Sequence, residues 1–175
     1  SVAQKFDERI DRFWDEVSVH YDFIVERRRG YLNWRYCDPR SGDFLIKLAE
    51  SDDQILGYAV LKINKYLRGY SVGYLVDLLT LPHRLDVAHA LAADSINYFD
   101  SQGINIINYQ VVKKHPYESV LKRHGFLDSR IKLNLFYRPL SELEIAKKLD
   151  SSSPGNVFIS WGDHDVLPIK MPSYE

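Results

Sequence analysis

Residues 74–126, YLVDLLTLPHRLDVAHALAADSINYFDSQGINIINYQVVKKHPYESVLKRHGF, decide the fold. An apolar run ends at Leu81 and gives way to Pro82-His83-Arg84. Leu85, Ala88, Ala92, Ile96 and Phe99 then make one helical stripe, with Leu91 at its edge. Gly103 stops that helix, and 104–112 carries apolar residues on both faces, as a buried parallel strand does. Pro116 opens a short helix that Gly125 closes. The order is β-α-β-α, which sets a helix N-terminus beside a strand end. The first helical N–H groups lack partners inside the helix, so such a place can receive a phosphate.

Toward the N-terminus, Phe6, Ile10, Phe13, Trp14 and Val17 fall at helical spacing, which predicts an amphipathic helix over 3–19. A second, shorter helix is expected over 21–29, with Gly30 as its stop. Asp38-Pro39-Arg40-Ser41-Gly42 reads as a turn. Strands are expected over 44–48, 55–63 and 70–81, joined by short turns that favour antiparallel pairing, with Gly73 marking a bulge. Toward the C-terminus, 131–137 alternates as a strand. Ser141 to Glu144 fits a capping box for a helix over 142–149, and 157–160 reads as a last short strand.

The chain has 175 residues, 45% hydrophobic and 13% aromatic, which fits a single globular domain with a sizeable core. Twenty-three basic and 24 acidic residues leave a net charge of −1, so charge gives no reason to expect nucleic acid or an anionic membrane as partner. No apolar run reaches membrane-spanning length, and no charged-then-apolar signal segment opens the sequence. Cys37 is the only cysteine, which fits a reducing compartment, and a cytoplasmic location is expected. The chain opens Ser1-Val2 rather than on methionine, as a processed chain or a domain cut from a longer protein does.

Four groups of residues could carry chemistry. Amides at His83 to Ala88, with the His83 and Arg84 side chains, could hold a pyrophosphate; a solvated loop whose amides Asp86 satisfies is the alternative. Asp77, inside an apolar strand, is either a base of raised pKa or a carboxylate satisfied by a neighbouring Arg or Tyr. Asp163-His164-Asp165, with His89, His115 and His124, matches no standard metal spacing, so no metal is expected. Arg27-Arg28-Arg29 reads as a solvated helix end, and Trp34-Arg35-Tyr36 could line an acceptor groove or dock a partner.

Two motifs add a resemblance. Arg84-Leu85-Asp86-Val87-Ala88-His89 stands after the fourth strand, and Lys114, Tyr117, Val120, Leu121, Arg123, Gly125 and Phe126 span the next helix. With the element order, they resemble the acyl-CoA-binding half of the GNAT N-acetyltransferase superfamily. The family's pyrophosphate loop runs Arg/Gln-x-x-Gly-x-Gly/Ala; Arg84 is kept and neither glycine is. The second motif runs Asn-x-x-Ala-x-x-Leu-Tyr-x-Lys-x-Gly-Phe. Here Gly125-Phe126 fits, and Leu121 replaces the tyrosine that protonates the leaving thiolate. Tyr117, one turn earlier on the same face, could stand in for it; packing against the sheet is the alternative.

The resemblance implies an α/β, GNAT-like acyl-CoA N-acyltransferase fold, a mixed, mostly antiparallel sheet flanked by helices. Residues 1–42 would be its N-terminal helices, 43–140 its core, and 141–175 a C-terminal helix, connector and short strand. It implies transfer of an acetyl or acyl group from acetyl-CoA or another acyl-CoA to a small-molecule or peptide amine. Asp77 and Tyr117 would be catalytic. Leu79, Leu81, His83, Arg84, Leu85, Asp86, Val87 and Ala88 would hold the acyl-CoA. The alternative is a non-catalytic GNAT-like domain that binds or regulates a partner domain, as in tandem members of the superfamily, or pairs with a second copy.

Overall fold

The computed structural model describes residues 1–67, 69–129 and 151–164. Its centre is a five-stranded sheet in the order β1 (Val2–Ala3), β2 (Leu45–Ser51), β3 (Gln54–Leu67), β4 (Tyr70–Thr80) and β5 (Ile106–Tyr109). β1 to β4 pair antiparallel, and β4 pairs β5 in parallel. The helices are α1 (Arg9–Ser18), α2 (Arg29–Tyr36), α3 (Leu85–Ser101) and α4 (Pro116–Arg123). The strand expected over 131–137 and the helix over 142–149 lie outside the described residues.

Two neighbouring residues of β3 show how the layers form. Tyr58 takes the Phe6 and Phe13 rings edge-on, the latter from α1, while Gly57 lies under Val87 of α3. Successive strand residues point to opposite faces, so α1 and α3 cover opposite sides of the sheet. A Cβ on Gly57 would meet the Leu79 carbonyl and Thr80 at 2.9 Å. Between β2 and β3, Asp52 and Asp53 are both left-handed, as a two-residue hairpin turn requires.

Four expectations are corrected. The helix expected over 3–19 runs only over Arg9–Ser18, and Val2–Ala3 is instead a strand paired with β2. The second helix is Arg29–Tyr36 rather than 21–29, and Gly30 lies inside its first turn instead of ending it. Residues before it run extended, with one bridge from Phe23 to Val157. Backbone bonds to 156–158 and the buried pairs of Arg27 with Asp77 and Asp163 hold this segment. Arg28 and Arg29 are exposed at the start of α2 and pair with Asp15 and Asp11 on α1, so of the three arginines only the buried Arg27 departs from a solvated helix end. Finally, the bulge is not at Gly73. It lies at Val76, the extra residue between the pairs Leu61–Leu75 and Val60–Asp77. Gly73 instead admits the Phe99 ring of α3, which an added Cβ would meet at 2.7 Å.

Candidate active site

β4 and β5 form a fork. Their pairing runs from Val72–Ile106 to Leu75–Tyr109 and ends there, while β4 continues to Thr80. The fork opens beside the Val76 bulge, the kind of irregularity found next to active sites. Beyond it, Leu81 sends its amide to the Leu56 carbonyl, toward β3. The preceding amide, Thr80 N–H, points the other way and donates to the Tyr117 hydroxyl at 2.9 Å. The Thr80 Oγ1 is 3.0 Å from the same hydroxyl.

Tyr117 arrives there because of how α4 starts. Pro116 sits in the first turn, where its missing N–H costs nothing, and His115 is the N-cap. Its Nδ1 accepts from Tyr117 N–H at 3.2 Å. Acceptance at Nδ1 puts the ring proton on Nε2, which lies 3.5 Å from the Tyr21 hydroxyl. Tyr21 stacks on His115 at 6.1 Å between centroids, and Phe158 meets Tyr21, His115 and Tyr117 edge-on. Four rings thus fill the space around the end of β4. Burial lowers His115 to about 4 and raises Tyr117 to about 12, so at neutral pH both rings are uncharged.

Asp77 lies one residue past the bulge with no exposed surface. Its Oδ2 takes Arg27 Nε at 3.2 Å, the Tyr36 hydroxyl at 3.2 Å and the Tyr58 hydroxyl at 3.0 Å. Its Oδ1 is buried without a partner. Arg27 also binds both oxygens of Asp163 at 2.8 Å, and Phe158 covers the guanidinium at 4.8 Å. Asp163 in turn closes a capping box with Ser160. Burial pushes the Asp77 carboxyl up, and the Arg27 charge opposes it. Arg27, Tyr36 and Tyr58 thus hold one carboxylate oxygen, and the other is left without a partner.

At the start of α3 the amides are partly occupied. Val87 and Ala88 N–H both donate to the Arg84 carbonyl, and their side chains are buried, as are those of Leu79 and Leu81. Arg84 grips Asp86 with two donors, at 2.8 and 2.7 Å, and holds its carboxyl down to about 2. His83 is left-handed and exposed, and Leu85 is exposed as well. The helix start therefore already carries its own anion, Asp86.

Three further candidates were not legible from residue type. Thr80 acts through its backbone amide. Tyr21 and Phe158 lie far from the motif in sequence and join it only in space. Trp161 Nε1 and His164 Nε2 are buried without partners, next to each other and beside Tyr74 of β4. Arg35 holds their loop through the Gly162 and His164 carbonyls. Among the described residues no helix is long and apolar enough to cross a membrane, and no group of three or more His, Cys, Asp or Glu could hold a metal.

The chain matches no protein-family model, and no curated protein matches it. Solved structures do. A transcriptional regulator from Bacillus halodurans C-125 is 14% identical with a TM-score of 0.61, covering 78% of this chain and 99% of its own. Glucosamine-6-phosphate N-acetyltransferase from Arabidopsis thaliana is 14% identical with a TM-score of 0.58, covering 79% and 98%. A probable acetyltransferase is 19% identical with a TM-score of 0.55, covering 82% and 99%. With its mixed five-stranded sheet flanked by helices, the fold of this chain is that of the GNAT N-acetyltransferases.

Proposed function

We propose that this chain is an acyl-CoA-dependent N-acyltransferase domain whose acyl slot is closed by Tyr117. The observation that carries the reading is the Thr80 amide. It points into the β4–β5 fork and is met by a side-chain hydroxyl rather than by a neighbouring strand. A backbone donor in that position suits the amide carbonyls of a pantetheine arm laid along the open edge of β4.

In this reading an amine nitrogen attacks the thioester carbonyl and the carbon–sulfur bond breaks. The departing thiolate takes the Tyr117 proton, which burial keeps on the hydroxyl at neutral pH. The amine must lose a proton in turn. Asp77, the base expected from sequence, is enclosed and held by Arg27. We assign it to fixing Arg27 and the two tyrosines, and we assign the base to His164, whose Nε2 has no partner. The acceptor is an amine on a small molecule or peptide.

A second reading has its own support. The four-ring filling of the fork and the Arg84–Asp86 pair at the helix start leave neither half of an acyl-CoA an open place. That favours a non-catalytic GNAT-like domain acting on a partner domain. Thermal melting with acetyl-CoA separates the two, because a ligand of the folded state must raise the midpoint. A rise supports the transferase. No rise in the wild type, in Tyr117→Phe or in Asp86→Gly leaves the non-catalytic domain.

A further inference from the structure

We propose that His89 and His124 form a two-histidine site for a divalent transition metal of the zinc, nickel or copper kind, tying α3 to α4. The site is separate from the fork and does not depend on the acyl-transfer reading. His89 lies in the second turn of α3, and His124 caps the C-terminus of α4. The sequence separates them by 35 residues, yet His89 Nδ1 is 3.1 Å from His124 Nε2. Their rings are 5.2 Å apart and tilted by 50°.

That spacing is close to the bite of a metal. Two imidazole nitrogens, each about 2.0–2.1 Å from a tetrahedral zinc, stand roughly 3.3 Å apart. The rings need only shift by a few tenths of an ångström and turn their lone pairs off the line that joins them. Imidazole suits zinc, copper and nickel, while magnesium and calcium prefer oxygen. Both rings are half-buried, so an ion can reach them from solvent. The backbone behind His124 is fixed, since its N–H donates to the Leu121 carbonyl at 2.9 Å.

The proton balance is simple. In the hydrogen bond one facing nitrogen carries a proton and the other a lone pair. On metal binding the donor ring moves its proton to its outer nitrogen through water, so both facing nitrogens become ligands. With both rings neutral, no net proton is released. Water completes the coordination, because no third protein ligand joins the pair among the described residues. The consequence reaches the fork: α4 also carries Tyr117, so a metal between its last turn and α3 holds Tyr117 on Thr80.

The test is a Ni²⁺ titration of the whole chain, followed by calorimetry and by the histidine ring resonances. The expected result is one ion per chain, a raised melting midpoint, and paramagnetic broadening of His89 and His124 before the other four histidines. His89→Gln with His124→Gln should abolish the rise in midpoint. His20→Gln with His83→Gln, which removes the other close histidine pair, should keep it. If the double His89/His124 variant does not fold, the broadening order in the wild type still decides. Broadening first at His20 and His83, or unchanged binding in the His89/His124 variant, overturns the proposal.

Discussion

At the scale of single residues, the arginine at position 27 matters most. It is 1% exposed and neutralises two buried carboxylates from segments 50 and 136 residues away. Removing one partner of a buried pair leaves an uncompensated charge. Arg27→Ala should therefore cost about 3–5 kcal/mol in urea unfolding, and Asp77→Asn in the same chain should return part of that. A loss below about 1 kcal/mol, the range of an exposed pair, would show that the network is not as enclosed as described. Nothing in Arg27-Arg28-Arg29 distinguishes the first arginine from its neighbours. The apolar strand 76–79 did announce that Asp77 needed a partner, because an unpaired buried charge is so unfavourable. Which arginine would supply it was a matter of three-dimensional path, and no local pattern encodes that.

At the scale of elements, the legible features were those with a period or a stop signal. The long stripe of α3, its end at Gly103 and the Pro116 start of α4 are all where the spacing put them, within two residues. The region before α2 failed because Tyr21 to Arg29 has helix-compatible residues while tertiary contacts hold the chain extended. His115 shows an element whose cap is also a titrating group. Its folded value of about 4 lies below its ordinary 6.5, because burial disfavours the charged ring. Its contribution to stability is thus complete above pH 6.5 and is lost as the pH falls toward 4, by up to about 3 kcal/mol. Asparagine is a strong N-cap, so His115→Asn should keep α4 capped and flatten that acid limb. Unfolding free energies measured from pH 7 to pH 4 decide this: the same slope in wild type and variant would place the lost stability elsewhere. Gly73→Ala is a second check, since a methyl against Phe99 should destabilise by about 1–3 kcal/mol.

At the scale of the whole molecule, the antiparallel run of β2 to β4 and the parallel β4–β5 pair were readable from element order, but β1 and the contents of the fork were not. The motif comparison marked what is absent, two glycines and a tyrosine. It did not mark what takes their place, because Tyr21 and Phe158 come from outside the motif. The aromatic N-terminal region likewise resolves in space. Trp14 and Tyr36 are buried, Tyr31 packs on Trp34, and Trp34 is the one ring largely exposed, at 61%. The helix start makes a prediction of its own. Asp86→Gly removes a negative charge and releases Arg84, so inorganic pyrophosphate should bind the variant more tightly than the wild type, and more so at low salt.

The central claim is that Tyr117 occupies an acyl slot, and acetyl-CoA calorimetry on the wild type and Tyr117→Phe tests it most directly. In the free variant the buried Thr80 amide loses its partner, at a cost of about 1–3 kcal/mol, and a ligand carbonyl can satisfy it. The account predicts tighter binding to Tyr117→Phe than to the wild type, by about tenfold for each 1.4 kcal/mol recovered. Equal or weaker binding to the variant, or no heat from either protein, would contradict it.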